Sequence, residues 1–365
     1  SSTDSNGDNG GYSMDTVFQQ TGKITGSGGA YYYGDQMAIS ADGSTLVVGA
    51  PGTFGKAYVY EKPAEGWDAV TSCSAELYNN IDDDPELNFF GNSVAVSEDG
   101  STIIVGADDY YISGANVPGK VFVFERNHDG TDTWADGYTD LSASLTASDN
   151  TPGNCFGKSI AISNDAGTIT SSASGAGKVY VFKRNHDGTD TWANGSTDEA
   201  AILTSSDYES GDFFGWFISM LPDASIIITS SPGQSLLGTL DKGIYIYEMP
   251  VSGWQSTNEC SAKLTYGTAE GYLFGYSLAI SSDGSTIAAG APYYGGDLST
   301  GGVYVYRKTG SQWVTADSYD ALLSNSETHQ STPLGFSVAL NAAGTLVLIG
   351  CTAPPFYTYN EAYLY

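Results

Sequence analysis

The sequence predicts an all-β protein, a six-bladed β-propeller of four-stranded antiparallel blades, and three observations carry that expectation. An aromatic residue or leucine followed by glycine opens the same sentence six times, placing glycines at Gly34, Gly91, Gly157, Gly215, Gly275 and Gly335. The copies recur at intervals of roughly 60 residues and fill nearly all of the 365, the fixed-period self-similarity of a repeat array rather than of separate domains. Each copy is built of short segments that alternate with period two, which is strand geometry, and none shows the period of a helix. The repeats start near residues 33, 90, 156, 214, 274 and 334, inside a single propeller expected over 16–365, with 1–15 left as a polar Gly/Ser/Asp tail.

The first segment of each copy sets a small residue between two larger ones, as in Met37-Ala38-Ile39, Val94-Ala95-Val96 and Leu278-Ala279-Ile280. Both faces are apolar but unequal in size, so this strand is expected between two sheets, with the small residue where space tapers. Asp-Gly turns such as Ser40-Ala41-Asp42-Gly43-Ser44-Thr45 lead into a second strand, which ends in Gly49-Ala50-Pro51 or its equivalent, where glycine and proline break pairing. The third strand carries the strongest signal, because Ala57-Tyr58-Val59-Tyr60, Val121-Phe122-Val123-Phe124 and their counterparts are aromatic and β-branched. A fourth strand, the most polar and outermost, starts near a tryptophan (Trp67, Trp134, Trp192, Trp254, Trp313).

The sixth copy stops at Tyr365, the end of its third strand, and so lacks a fourth. The missing piece is expected at the other terminus, where Val17 to Thr25 line up with the fourth strands of the other copies and would close blade six by pairing the two chain ends. The same strand could instead complete blade six of a neighbouring copy, which would give an ordered polymer. The polar tail before it is expected to be pinned to a surface.

With the Phe-Gly starts and Gly-Ala-Pro ends in view, the chain resembles the FG-GAP repeat family, best known from the integrin α-subunit propellers. The resemblance covers about residues 33–365. It implies a propeller fold and an adhesion or extracellular recognition role exercised through one face of the disc, and it says much less about function than about fold. Integrin-like repeats carry an Asp-rich calcium loop between the first two strands. Here that link has shrunk to a short turn with a single carboxylate, which cannot supply the six to eight oxygens calcium takes. Asp42, Asp99 and Asp283 are therefore expected to form turns, the family's calcium sites are not carried over, and no cofactor is expected, with calcium at the acidic loops Asp82–Asp84 and Asp108–Asp109 as the alternative reading.

The formal charge is -29, from 42 acidic and 13 basic residues, which repels nucleic acid and anionic membranes. No run of about 18 apolar residues exists, so no membrane span is expected. The chain opens without methionine or an apolar leader, so an export signal is expected to have been removed or to lie outside this sequence. Abundant Ser, Thr, Gly and Tyr, and a sequon at Asn194, point to an extracellular or cell-surface setting. Cys73 and Cys260 occupy matching positions in copies one and four, on opposite sides of a ring, so the four cysteines read as buried free thiols rather than a disulfide framework.

In an up-and-down blade, the links between strands two and three share one face with those leading to the next blade. That face would present Tyr31 and Tyr32; Asp82, Asp83 and Asp84; Asp108, Asp109, Tyr110 and Tyr111; Asp207, Tyr208, Glu209 and Asp212; Tyr293, Tyr294 and Asp297; and Phe356 and Tyr357. Tyrosine couples a large apolar body to a hydroxyl at low entropy cost, which suits protein contacts and sugar stacking alike. The competing reading is that these rings pack the loops together and that the acidic groups are a solvated rim. On the opposite face, "RNHDGTDTWADG" from Arg126 and "RNHDGTDTWANG" from Arg184 repeat in copies two and three, and His128 and His186 there read as parts of a hairpin extension rather than metal ligands.

His329 completes the three histidines, and no histidine falls in a catalytic or zinc motif. The expectation is a non-catalytic protein that binds protein partners or copies of itself in adhesion, matrix or filament assembly. The alternatives are a carbohydrate-binding module using the Tyr-rich loops and a propeller hydrolase.

Overall fold

The alternation in the repeats becomes sheets. The computed structural model describes residues 23–26, 32–52, 55–70, 72–78, 89–108, 118–126, 130–149, 151–184, 191–192, 199–233, 243–267, 271–294, 301–324, 334–351 and 361–365. Sheet one orders Met37–Ile39, Thr45–Ala50, Lys56–Glu61 and Ala75–Leu77 side by side, all antiparallel. Sheet two does the same with Ser93–Val96, Thr102–Ala107, Lys120–Glu125 and Leu141–Leu145. Sheet three takes Phe156–Ile162, Thr168–Ala173, Lys178–Lys183 and Ala201–Leu203, and sheet four takes Ile218–Met220, Ile226–Ser231, Gly243–Glu248 and Ala262–Leu264. Sheet five comprises Ser277–Ile280, Thr286–Ala291, Gly302–Arg307 and Ala321–Ser324. Sheet six has three strands among the described residues, Leu334–Leu340, Val347–Cys351 and Glu361–Leu364.

First strands of successive sheets touch from sheet one through to sheet six, so these are the innermost strands and the fourth the outermost. The core lies between sheets rather than within any one of them. Val47 and Val59 of sheet one meet Phe90, Phe122 and Trp134 of sheet two. Equivalent layers fill the junctions between sheets two and three, three and four, four and five, and five and six. Each strand-two segment in sheets two to five therefore has one face against the previous sheet and one against the next, which is why it reads as a continuous apolar or small-residue run.

The Phe-Gly and Gly-Ala signatures are the two halves of one contact. Phe90 is buried against Phe122, tilted, and Phe124, edge-on, at 5.3 and 6.0 Å between ring centroids, and the next residue, Gly91, turns the chain with φ 94°. A Cβ on Gly91 would lie 2.3 Å from the Lys56 carbonyl oxygen, and one on Gly49 would lie 2.1 Å from the carbonyl oxygen of Gly91. The backbone of one sheet's second strand thus runs directly against the turn that opens the next sheet. No side chain fits between them.

The Asp-Gly turns behave as read from the sequence. Asp42 Oδ1 accepts from the Ser40 hydroxyl at 2.6 Å and the Ser44 amide at 2.9 Å, and Asp99, Asp165 and Asp283 repeat the arrangement. These bonds hold the Asp42 carboxyl below its usual range. Neighbouring turns are also linked in series: Ala41 N donates to Glu98 O, Glu98 N to Asn164 O, and Asn164 N to Pro222 O, at 3.1, 3.2 and 2.8 Å. The series skips a step at Pro222, which has no N–H to pass on, and reappears between Asp283 N and Ala342 O at 3.2 Å.

The junction between sheets six and one differs from the other five. Leu348 and Leu364, whose counterparts Ile104 and Val123 are fully buried, are 49% and 60% exposed. Met37 and Ile39 on the facing side of sheet one are 63% and 58% exposed. A Cβ on Gly34 would meet nothing within 4 Å.

The N-terminal strand predicted over Val17–Thr25 falls partly outside the described residues. Of the described part, Ile24 packs against Val48, Tyr58 and Tyr60, and Thr25 O accepts from the Tyr60 hydroxyl at 3.3 Å. Thr204 O, Thr265 O and Ser324 O, each at the end of a fourth strand, accept in the same way from Tyr247, Tyr306 and Tyr365, at 2.5, 2.9 and 3.2 Å. Thr25 therefore sits on sheet one where the end of a preceding fourth strand would sit. Among the described residues it pairs with no strand, and Glu361–Leu364 has a partner on one side only.

Candidate functional site

Many of the residues expected on the variable face lie outside the described residues: Tyr31, Asp82, Asp83, Asp84, Asp109, Tyr110, Tyr111, Asp297, Phe356 and Tyr357, together with Asn194, His128, His186, His329 and the tail 1–15. The described members divide. Tyr32 is 74% exposed, with a left-handed backbone at φ 59° in the turn before the first glycine. Tyr293–Tyr294 form a two-residue strand against Gly271–Tyr272 rather than an open loop.

Asp108 departs from the expectation. It closes the second strand of sheet two and is only 3% exposed, so it belongs to the interior and not to a free partner face.

Asp212 is buried and Tyr208 half-buried, whereas Asp207 stays partly exposed and is engaged in an inter-sheet clamp. Asp207 follows the fourth strand of sheet three and accepts from the Tyr245 hydroxyl at 2.9 Å and from Lys263 Nζ at 2.5 Å, both in sheet four, and from Ser205. Burial pushes its carboxyl up, but the bonds from Lys263, Ser205 and Tyr245 outweigh it and hold the group at about 2. Burial and the Asp207 bond together raise the Tyr245 hydroxyl far above its usual range. Asp149 makes the same clamp one junction earlier, on Lys178 and Tyr180 of sheet three. Tyr208 packs against the same core, and Asp212 is buried and accepts from the Glu209 amide at 2.6 Å. A spacing signal was present, since both clamping aspartates stand four residues past the last leucine of a fourth strand, Leu145 or Leu203.

The duplicated hairpins hold their own ion pairs. Arg126 Nη1 reaches Glu61 Oε1 of sheet one at 3.6 Å, and Arg184 Nη2 reaches Glu125 Oε1 of sheet two at 2.9 Å. Each arginine crosses one junction. The described residues contain no group of three His, Cys, Asp or Glu able to hold a metal. The short turns do not fit a calcium loop either, because Asp42, Asp99, Asp165 and Asp283 are consumed by their own serines and backbone amides. The four cysteines form no disulfide; Cys351 is buried, Cys73, Cys155 and Cys260 are half-buried, and burial raises the thiols of Cys73 and Cys260.

One constellation escaped the sequence reading. The residue after each repeat glycine stands at the start of an innermost strand, and in sheets three to six these are Lys158, Trp216, Tyr276 and Phe336, all half-buried. Lys158 Nζ lies 4.3 Å from the Trp216 ring, Trp216 lies 5.8 Å from Tyr276, and Tyr276 lies 5.3 Å from Phe336. Asp35 and Asn92 hold the same position in sheets one and two. The result is an aromatic arc with a cation at one end, running across successive innermost strands. Reading down the column after the glycine, instead of along each copy, would have exposed it.

The chain is similar in fold to two solved structures. The first, described as the structure of Dos1 propeller, is 13% identical with a TM-score of 0.50 over 88% of this chain, which spans 66% of that one. The second, Kuenenia stuttgartiensis hydrazine synthase, is 14% identical with a TM-score of 0.55 over 90% of this chain and 77% of that one. No protein-family model matches the chain. No curated protein matches it either. At such identities a likeness speaks for architecture alone. By fold, the chain is a β-propeller.

Proposed function

We propose that the chain is a non-catalytic, extracellular propeller of the FG-GAP kind that works by binding other protein chains. In this reading the six sheets are blades around one axis, and the N-terminal strand is the fourth strand of a sixth blade. The glycine-on-glycine contact of Gly49 with Gly91 supports the family reading, because it gives both halves of the Phe-Gly and Gly-Ala signature one physical task.

The observation that carries the binding role is the arc of Lys158, Trp216, Tyr276 and Phe336. Half-buried aromatics such as Trp216 and Tyr276 are among the side chains that dominate protein interfaces. Trp216 N and Tyr276 N donate to Ser230 O and Gly290 O of the neighbouring second strands, at 3.3 and 3.1 Å, so their backbones are held in place before a partner arrives. Asp149 and Asp207 are engaged in the inter-sheet clamps, so among the described residues the arc is the better supported recognition surface.

A random peptide library displayed on phage, panned against the protein and against a Trp216→Ala, Tyr276→Ala variant with unchanged circular dichroism, tests this. Peptides enriched on the parent and lost on the variant are expected. A glycan array run on the same pair decides the alternative: signal there, with no enriched peptide, would replace the protein partner with a carbohydrate.

A further inference from the structure

We propose that Ser172 and Ser230 are positioning residues, whose Cβ atoms set how far Lys158, Trp216 and Tyr276 stand from one another, an inference that rests on the binding role proposed for that arc. The repeat breaks its own rule around sheet four. The second strand carries glycine where the opening turn of the next sheet approaches, at Gly49, Gly106 and Gly290. A Cβ on any of these three would lie 2.1 Å from a carbonyl oxygen of that turn, on Gly91, Gly157 or Gly335 respectively. The same register position in sheets three and four is Ser172 and Ser230, both fully buried. Non-bonded heavy atoms settle about 3.5–4 Å apart, so a serine there holds the next turn off the strand by about 1 Å or more. The turns do meet these side chains: a Cβ on Gly215 would lie 3.4 Å from Ser172 Cβ, and one on Gly275 would lie 2.7 Å from Ser230 Cβ.

A second contact changes together with the first. Ser93 Oγ donates to Gly157 O at 2.7 Å and Ser277 Oγ to Gly335 O at 2.9 Å, which latches the glycine turn at the junctions of sheets two and three and of sheets five and six. Between sheets three and four, Ser159 Oγ instead accepts from Ile218 N at 2.9 Å, and Ser159 N donates to Ser172 Oγ at 3.0 Å. Between sheets four and five the latching position is Phe217, which has no hydroxyl to give. Both altered junctions lie beside arc members. Ser172 binds the residue after Lys158 and faces the residue before Trp216. Ser230 O accepts from Trp216 N at 3.3 Å, and Ser230 Cβ faces the residue before Tyr276. Ser230 Oγ is buried with no hydrogen-bond partner among the described residues. A buried hydroxyl without a bond costs stability, so the carbon and not the oxygen is what this position uses.

Ser230→Ala keeps the carbon and Ser230→Gly removes it, which separates spacing from hydroxyl chemistry. The emission of Trp216 is read in each background as the difference between the protein and its Trp216→Phe counterpart, and phage peptides selected on the parent are rebound to each variant. Ser230→Ala should match the parent in both readouts. Ser230→Gly should shift the Trp216 emission maximum and weaken peptide retention about fivefold or more. Ser172→Gly, on the other side of Trp216, is the second variant and should shift the same emission. A role in stability alone would lower the urea midpoint of the glycine variants while leaving Trp216 emission and peptide retention of the folded proteins at parent values, and that result overturns the proposal. Ser230→Ala behaving like Ser230→Gly overturns it as well, because the hydroxyl would then be the active group. If no peptide is selected on the parent, the binding role fails, whereas Trp216 emission still decides whether the two serines set the spacing.

Discussion

Between sheets one and two, Val47 and Val59 meet Phe90, Val94 and Val96, Gly49 lies against Gly91, and Ala41 N bonds to Glu98 O. Between sheets six and one the corresponding side chains Leu348, Leu364, Met37 and Ile39 are 49%, 60%, 63% and 58% exposed, a Cβ on Gly350 would meet no atom of Gly34, and among the described residues no backbone bond joins Ala342 to Ala41. The residue types are alike in both places, so composition does not distinguish a formed junction from an open one. What differs is the surface that comes next. Every repeat encodes two half-interfaces, and stability accrues only where the neighbouring repeat supplies the other half.

The largest expected effect breaks this comparison at one repeat position. Ile104→Ala removes a fully buried side chain from the junction of sheets two and three and should lower unfolding free energy by about 2–5 kcal/mol. Leu348→Ala, at the matching position of sheet six, should change it by no more than about 0.5 kcal/mol in dilute solution. Urea unfolding of the two variants side by side measures the contrast. Equal losses would mean that Leu348 is buried in the free chain.

Backbone contact gives the next contrast. Gly91 and Gly34 share the same conformation, with φ of 94° and 89°, but a Cβ at Gly91 strikes a carbonyl oxygen whereas one at Gly34 meets open space. Gly34→Ala should therefore show the left-handed penalty alone, about 1–2 kcal/mol. Gly91→Ala adds the collision and should reach about 3 kcal/mol or more. If thermal unfolding returned the same loss for both, the Gly49 approach would not be what the glycine serves.

Much of the fold was legible because the physics that makes it is local and repeated. Strand alternation, the Asp42-type turns and the aromatic third strands each appear several times, and a pattern seen in register across copies is hard to misread. The candidate site was less legible, for two reasons. Asp108, Asp207 and Asp212 look like surface acids in one dimension, yet Asp108 and Asp212 are buried and Asp207 is tied to Tyr245 and Lys263, residues of the next sheet that only the inter-sheet geometry brings near. The arc of Lys158, Trp216, Tyr276 and Phe336 is spread over four copies, so no local motif announces it. The duplicated hairpins drew attention to His128 and His186, while the described chemistry of those hairpins lies with Arg126 and Arg184.

The smallest expected effect concerns the clamp that ties sheet three to sheet four. Asp207 sits at about 2 when folded, against 3.8 for an unperturbed aspartate, so its contribution is fully present above 3.8 and is lost as pH falls through about 2. Its side chain is 44% exposed, which screens the ion pair with Lys263 and keeps the contribution below about 1 kcal/mol. Asp207→Asn should thus be slightly less stable than the parent near neutral pH, and the gap should narrow between 3.8 and 2 because the parent's carboxylate is being protonated there. Urea midpoints measured at several pH values check it. A gap that stays constant across that window would mean the loss comes from packing of the altered side chain, and the junction of sheets three and four would then owe its stability to the apolar layer of Phe214, Ile218 and Trp254 alone, as the junction of sheets five and six owes its own to Val303, Leu334 and Ile349.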